Sequence, residues 1–248
     1  MTRELWNEFA ATLNVFLVRK LDADNAEPQA VLFPPAGAFI GLLCTLAAAF
    51  AILFFGRLAA AILAAIVLPL LLELLTDWHG LKNLSSYLTL RFRSTRIADA
   101  FSRKPEFRNE MTPVFLFVSL YLLRALSFGF ITCRSPLVFL FVFTGAYLVR
   151  TGLAVCADSG SYPLLELPAE KQKVPDLTAL AVFALAGIFS FHLRLLAAAA
   201  VLFLLSLLIR RIQTNTILRH AGRTSLRMFE IYGYAAETLL LLAGIAVA

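Results

Sequence analysis

Polar side chains that bind metal ions or move protons follow an apolar run in the stretch "LLELLTDWHGLKNLSSYL". This stretch contains Glu73, Asp77, His79 and Asn83. Glu73 and Asp77 are four residues apart, so they share one face if the segment is helical. Carboxylates beside an apolar span are costly and indicate a functional site. We therefore predict a catalytic centre formed by these four residues. The alternative is a set of interfacial acids neutralised by a nearby lysine or arginine.

Two further carboxylates occur near the end of the chain, in "RMFEIYGYAAETLLLLAGIAVA". Glu230 and Glu237 are seven residues apart, a spacing that returns to the same helix face. Acidic faces from two helices can hold a hard divalent cation, and Mg²⁺ prefers oxygen ligands. We predict a magnesium site formed by Asp77, Glu230 and Glu237. The alternatives are a salt bridge from Glu230 to a nearby arginine and a neutral Glu237 carboxyl that hydrogen-bonds across helices.

The segment before these acids, "LLIRRIQTNTILRHAGRTSLRMFE", is basic and rich in hydroxyl and amide groups. A topology signal needs only positive charge, so the added polar groups indicate a phosphate or diphosphate ligand. Anionic lipid headgroups are the alternative. Arg150, at the end of an apolar run, either extends to the membrane surface or binds a phosphate through two donors. The predicted phosphate-binding residues are Lys82, Ser86, Arg150, Arg219 and Arg223.

These polar groups belong to a very apolar chain. Of its 248 residues, 60% are hydrophobic and 15% are charged, and its mean hydropathy is +0.81. Soluble domains average about 45–50% apolar and about 25% charged residues. The composition therefore predicts an integral membrane protein that contacts the lipid bilayer. The net charge of +6 resides largely in loop arginines without an aromatic–basic motif, so we exclude a nucleic-acid partner. The cysteines, Cys44, Cys133 and Cys156, match neither a disulfide framework nor a zinc site.

The apolar runs predict how the chain crosses the membrane. A span needs roughly 20 apolar residues, and residues 5–19 before the first run are typical of an amphipathic helix at the interface. The N-terminus has no small-residue cleavage site, so we expect no cleavable signal peptide. We predict an all-α, polytopic helical bundle with a single membrane-embedded domain over residues 1–248. The seven predicted spans are 31–55, 58–76, 113–132, 136–156, 175–193, 195–209 and 228–248.

Loop charges predict the orientation of these spans. Counted over alternate segments, 18 lysines and arginines fall on the side of the N-terminus and three on the other, with Arg124 inside a span. Positively charged loops remain in the cytoplasm. We therefore predict a multi-pass protein of the cell inner membrane with a cytoplasmic N-terminus, so that any chemistry uses cytoplasmic substrates. The predicted cytoplasmic loops are 20–30, 77–112, 157–174 and 210–227. The sequence leaves the oligomeric state open, a homo-oligomer included.

Four segments spread over nearly the whole chain resemble the motifs of one known family. They are "LFPPAGAFIGLL", "LTDWHGLKNLSSYL", "YLVRTGLAVCADSG" and "IRRIQTNTILRHAGRTSLRMFEIYGYAAE". In this order they resemble the cobalamin synthase family (adenosylcobinamide-GDP ribazoletransferase), whose members are polytopic membrane proteins. The resemblance implies that α-ribazole, or its 5′-phosphate, attacks the phosphoryl joining adenosylcobinamide to GMP. It also implies that GMP is displaced with the assistance of Mg²⁺.

The acidic motif of this family, His-x-Asp-Gly-Leu-x-Asp-x-x-Asp-Gly, is altered here. Its His-x-Asp pair becomes Asp77-Trp78-His79, with the two residue types exchanged. Later family aspartates fall on Asn83, Ser86 and Arg223. Replacing aspartate by asparagine or serine keeps an oxygen ligand but removes charge, so these changes weaken Mg²⁺ binding.

Three hypotheses for function follow from these residues. The first is an active Mg²⁺-dependent transferase of the nucleotide loop of cobalamin. The second is a binding or scaffold protein that kept the fold and lost the chemistry. The third is a small-solute transporter, which the intramembrane Arg124 and Glu237 suggest but which lacks a convincing inverted repeat.

Overall fold

The computed structural model describes residues 3–15, 21–24, 26, 28–76, 78–92, 111–155, 174–189, 192–220 and 226–248. All regular secondary structure within these ranges is helical. The helices are α1 (Arg3–Asn14), α2 (Phe33–Leu75, preceded by a 3₁₀ turn at Ala30–Leu32), α3 (His79–Phe92), α4 (Met111–Arg134), α5 (Val138–Val155), α6 (Val174–Phe189), α7 (Leu193–His220) and α8 (Leu226–Val247).

The described helices include four that are long and apolar enough to cross a membrane and two shorter apolar ones. Large apolar side chains on the outer face of the bundle, such as Leu53 and Leu58, are 78% and 75% exposed. Such a large apolar surface rarely faces water in a soluble protein, whereas in a membrane protein it contacts lipid tails. The prediction of an all-α membrane bundle is confirmed. The long segments are Ala30–Leu75, Thr112–Arg134, Leu193–Thr216 and Met228–Val247, and the shorter ones are Val138–Leu153 and Val174–Ile188.

Helix α2 contains the first two predicted spans in one bent helix. Gly56 has φ 75° and ψ 168°, a conformation that is essentially restricted to glycine. The bend lies between the predicted spans 31–55 and 58–76, so each limb of α2 corresponds to one of them. Pro34 and Pro35 occupy the first turn, where proline is tolerated because those amide groups have no partner within the helix.

Two predicted loops are largely helical where the structure describes them. The predicted loop 77–112 contains α3, and the predicted loop from residue 210 is an extension of α7 to His220. Helix α3 forms because Leu81 and Leu84 recur at helical spacing and are buried, packing this short helix against α4 and α8. A search for long apolar runs misses such helices, since only one of their faces is apolar. At the N-terminus, α1 ends at Asn14, and residues 16–19 of the predicted amphipathic helix lie outside the described residues.

Helix α5 forms the centre of the bundle and packs against α2, α7 and α8. Its aromatic residues stack on neighbouring helices, with ring centroids 4.9 Å apart for Phe128 and Phe139. The limb of α2 that contains Gly37 and Gly41 approaches α5 closely. A Cβ at Gly41 would lie 2.7 Å from the Cα of Leu140. The small residues of this limb therefore form a face on which α5 packs.

Candidate functional site

A buried arginine on α4 joins the acidic residues of α2 and α8. One terminal nitrogen of Arg124 donates to Oε1 of Glu73 at 2.6 Å, and the other donates to Oε1 of Glu237 at 2.5 Å. Arg124 is 3% exposed and Glu73 is 1% exposed. The guanidinium therefore bridges two carboxylates from helices that are far apart in sequence.

A second arginine extends this arrangement to α5. Arg150 donates to Oε2 of Glu237 at 3.1 Å, so both oxygens of that carboxylate accept from guanidinium groups. The Arg150 guanidinium also lies over the ring of Tyr147, 4.7 Å from its centroid. We call Glu73, Arg124, Glu237 and Arg150 the buried ion chain. Each of its members comes from a different helix, so it ties α2, α4, α5 and α8 together.

Tyr234 on α8 supports this chain at Glu73. Its hydroxyl donates to Oε1 of Glu73 at 2.7 Å, and its ring lies under the guanidinium of Arg124, 4.5 Å from the centroid. Two buried atoms of the chain, Oε2 of Glu73 and Nε of Arg124, have no hydrogen-bond partner among the described residues.

The charges of the buried ion chain balance one another. Two guanidinium groups and two carboxylates, when ionised, sum to zero. An isolated charge in a low-dielectric interior is very unfavourable, and pairing with good geometry is what makes buried charges tolerable. The chain is therefore self-neutralised, and the removal of any one member leaves an uncompensated charge in the bundle.

Two glycines make room for the side chains of the site. A Cβ at Gly80 would lie 2.5 Å from Cδ2 of Tyr234, and a Cβ at Gly233 would lie 2.5 Å from Nε of Arg150. Real Cβ atoms do not approach so closely, so a larger residue at either position would force Tyr234 or Arg150 to move. Gly80 is also the glycine of the altered acidic motif.

A cavity of about 910 Å³ lies beside the buried ion chain. Its apolar wall comes from both limbs of α2, with side chains such as Leu43 and Leu71 that are each 50% exposed. Its polar side is formed by residues of other helices. The described polar residues on that side include His79, Asn83, Arg124, Arg150, Glu230 and Glu237. The cavity is thus amphipathic, with a polar region next to an apolar one.

A second polar contact links α3 to α8 at the cavity. The side-chain amide of Asn83 donates to Oε2 of Glu230. Asn83 is 9% exposed, whereas His79 is exposed on the first turn of α3. His79 therefore lies at the accessible side of the cavity, and the Asn83–Glu230 pair lies deeper.

The structure brings together most of the residues that we predicted for the catalytic and metal sites. His79, Asn83, Glu230 and Glu237 line one cavity, and Glu73 contacts it through Arg124 and Tyr234. Asp77 lies outside the described residues. Arg124 and Glu237, which suggested a transporter, are paired with each other.

The predicted phosphate-binding residues have different positions. Arg150 lines the cavity. Lys82 and Ser86 lie on α3, where Lys82 is half-buried and Ser86 is 6% exposed, and neither is among the described residues that line the cavity. Arg223 and the side chain of Arg219 lie outside what the structure describes.

Sequence reasoning missed Arg124 and Tyr234 as site residues. Arg124 is the only charged residue in the run 113–132, and a charge inside a span indicates a partner at membrane depth. That signal could have placed Arg124 opposite one of the intramembrane glutamates. The role of Tyr234 had no such signal, because an aromatic residue in an apolar helix is most often part of the core.

Comparison of the chain with models of protein families, with curated proteins and with solved structures finds no match in any of the three.

Magnesium, which the resemblance implies, does not fit the described carboxylates in their observed arrangement. Both oxygens of Glu237 and one oxygen of Glu73 accept from arginine or tyrosine donors, and an oxygen of Glu230 accepts from Asn83. Among the described residues, no group of three or more His, Cys, Asp or Glu side chains is placed to hold a metal ion. The contribution predicted for Asp77 falls outside those residues, so the magnesium site stays a prediction.

Proposed function

We propose that this protein is a membrane-embedded transferase that completes the nucleotide loop of cobalamin. A hydroxyl of α-ribazole, or of its 5′-phosphate, attacks the phosphoryl that joins adenosylcobinamide to GMP. A new phosphorus–oxygen bond forms to the ribazole, the bond to GMP breaks, and GMP leaves with the bonding electron pair. The hydroxyl proton goes to a base of the protein.

The observation that supports this proposal most is the common location of the four resembling segments. Each of them contributes side chains to the same cavity, although they are spread along nearly the whole chain. The first contributes Phe39 and Leu43, the second His79 and Asn83, the third Tyr147 and Arg150, and the fourth Glu230 and Glu237.

The shape and polarity of the cavity support a substrate that is polar at one end. Ligand sites commonly measure about 300–1,000 Å³, and the cavity of about 910 Å³ is within this range. A cobinamide nucleotide is larger than that, so we expect only its diphosphate and adjoining groups to enter. The diphosphate would lie by the polar side, and apolar parts of the substrate would contact the leucines of α2.

Within this proposal, Arg150 and His79 have direct roles. Arg150 lines the cavity, and a guanidinium binds phosphate oxygens through paired donors and stabilises charge that develops during transfer. His79 is exposed at the cavity and is suited to accept the proton of the attacking hydroxyl. Asn83, which is fixed by Glu230, would donate to the substrate. Glu73 and Tyr234 would position Arg124.

The test is an assay of the full-length protein in nanodiscs with adenosylcobinamide-GDP and α-ribazole. Mass spectrometry should detect cobalamin and GMP in equal amounts. His79→Ala should lower kcat by about 10²-fold or more, the usual contribution of a general base. His192→Ala, which changes a histidine that does not line the cavity, should retain the rate. The absence of product where an established family member is active would refute the proposal.

A second candidate function is binding of the same substrate without turnover. It is favoured by the self-neutralised buried ion chain and by the amide and hydroxyl that replace motif carboxylates at Asn83 and Ser86. Isothermal titration with adenosylcobinamide-GDP separates the two candidates. Binding that releases no GMP would support the second candidate, and binding followed by ribazole-dependent GMP release would support the first.

We also infer the location and partners of the protein from its charge pattern. The inferred location is the cell inner membrane, with the N-terminus and the open side of the cavity facing the cytoplasm. A cysteine introduced at the exposed Arg91 of α3 should react with impermeant reagents only in inverted vesicles. Reaction in right-side-out cells would reverse the orientation. Light scattering in detergent would test whether the protein forms a homo-oligomer.

A further inference from the structure

We propose that Arg124 is a built-in cation of this site, held between two acidic helices where a divalent metal ion would otherwise be required. The inference deepens the proposed function, because it concerns the cofactor requirement of the same cavity. Its chemical consequence rests on that function, whereas its metal-binding test does not.

The first support is the position of the guanidinium. Arg124 contacts one oxygen of Glu73 at 2.6 Å and one oxygen of Glu237 at 2.5 Å. These distances are those of charge-assisted hydrogen bonds. A metal ion that bridged the same two carboxylates would have to take the space of the guanidinium.

The second support is that most of the carboxylate oxygens already accept hydrogen bonds. Of the four oxygens of Glu73 and Glu237, three accept from arginine or tyrosine donors. Only Oε2 of Glu73 has no partner among the described residues. Water and phosphate oxygens complete the shell of Mg²⁺, but one or two carboxylates usually hold the ion, and here arginine and tyrosine donors already occupy three of the four carboxylate oxygens.

The third support is the charge balance. The buried ion chain is neutral when its four groups are ionised, so a divalent cation would add two positive charges beside two guanidinium groups. Repulsion between like charges is strong where the dielectric constant is low. Arginine also stays protonated at all physiological pH values, so this cation is permanent and cannot be removed by a chelator.

The consequence is that the site does not depend on a divalent metal for its charge. If the proposed transfer takes place, Arg150 donates to the phosphate oxygens at the cavity, and Arg124 holds the two acids together where a divalent ion would otherwise lie. Activity should then persist in excess EDTA.

The test uses Mn²⁺ as the probe and the full-length protein in nanodiscs of phosphatidylcholine, which avoids binding of the ion to anionic lipid. Electron paramagnetic resonance measures free and bound Mn²⁺. The wild type should bind the ion more weakly than about 1 mM, the weak end of protein cation sites. Arg124→Met removes the internal cation and leaves Glu73 and Glu237 facing each other. This variant should bind Mn²⁺ at least about tenfold more tightly and melt at a higher temperature when the ion is present.

Two control variants complete the test. Arg194→Met changes an exposed arginine and should behave as the wild type. The double variant Arg124→Met/Glu237→Gln should lose the gained site. A folded Arg124→Met variant that binds no Mn²⁺ would overturn the inference, because the two acids would then not form a cation site.

If Arg124→Met does not fold, Mn²⁺ binding by the wild type and by Glu237→Gln still tests the inference. If the wild type binds Mn²⁺ and the Glu237→Gln variant does not, the inference is overturned. A failed transferase assay would refute the proposed function and leave this result unchanged, since Mn²⁺ binding does not require turnover.

Discussion

Two ion-paired regions of the molecule use the same chemical groups in opposite environments. In the buried ion chain, Arg124 contacts Glu73 at 2.6 Å, and the two side chains are 3% and 1% exposed. Near the N-terminus, Arg3 contacts Asp24 at 2.9 Å, and these side chains are 85% and 47% exposed. Both contacts join a guanidinium to a carboxylate at hydrogen-bonding distance, and the largest difference is their exposure, although Arg124 also contacts a second carboxylate.

The difference shows that burial, more than contact distance, determines what an ion pair contributes. Exposed pairs are worth about 0–1 kcal/mol, because water screens them and ordering two long side chains costs entropy. Breaking a buried pair costs about 3–5 kcal/mol, because the remaining charge has no partner. The Arg3–Asp24 contact is therefore dispensable, whereas the buried ion chain fixes how four helices meet.

The largest expected effect is that of Arg124→Met. Two carboxylates lose their common partner, so the free energy of unfolding should fall by about 3–5 kcal/mol. Equilibrium unfolding in detergent, followed by the fluorescence of Trp6 and Trp78, measures this change. The exposed Arg57 provides the matched control, since Arg57→Met should change stability by less than about 0.5 kcal/mol. Equal losses of stability in Arg124→Met and Arg57→Met would show that burial of the ion pair does not determine its contribution.

A smaller effect is expected for Tyr234→Phe, which keeps the ring under Arg124 and removes one donor to Glu73. Oε1 of Glu73 keeps Arg124 as a donor, so the loss should be that of a single hydrogen bond, about 0.5–1.5 kcal/mol. Tyr121→Phe is the matched control, since Tyr121 is only partly buried and packs its ring on Trp78. A loss of stability no greater than that of Tyr121→Phe would show that the Tyr234 hydroxyl does not stabilise the buried ion chain.

The smallest effect is expected for Arg3→Gln. Its contact with Asp24 is solvated, so the midpoint of thermal unfolding should stay within error at both low and high salt. Detergent melts at two salt concentrations measure this. A clear loss of stability that appears only at low salt would show that this surface pair contributes more than its exposure indicates.

Much of the fold could be predicted from the sequence because apolar runs of membrane length are visible without knowledge of packing. The limbs of α2 on either side of Gly56 illustrate this. Helix α3 and the extension of α7 to His220 could not be found in the same way. Each is too polar to produce an apolar run, and only contacts with other helices explain why it is helical.

The candidate site was only partly predictable for a related reason. Glu73 and Glu237 could be singled out because carboxylates are costly beside or inside a span. Their partner could not be chosen by proximity in sequence, since Arg124 is 51 residues from Glu73 and 113 residues from Glu237. Glu73 and Glu237, which come from the two acidic faces, lie on either side of Arg124, whereas the magnesium site predicted from Asp77, Glu230 and Glu237 stays a prediction.

The most direct test of this account is a double-mutant cycle between Arg124→Met and Glu237→Gln, with unfolding free energies measured in detergent. Side chains in contact are coupled, so the account predicts an interaction energy above about 1 kcal/mol. A parallel cycle between Arg124→Met and Asp176→Asn, whose carboxylate pairs with Arg210, should be additive. Additivity within about 0.5 kcal/mol for Arg124 and Glu237 would show that α4 and α8 are not joined by this pair.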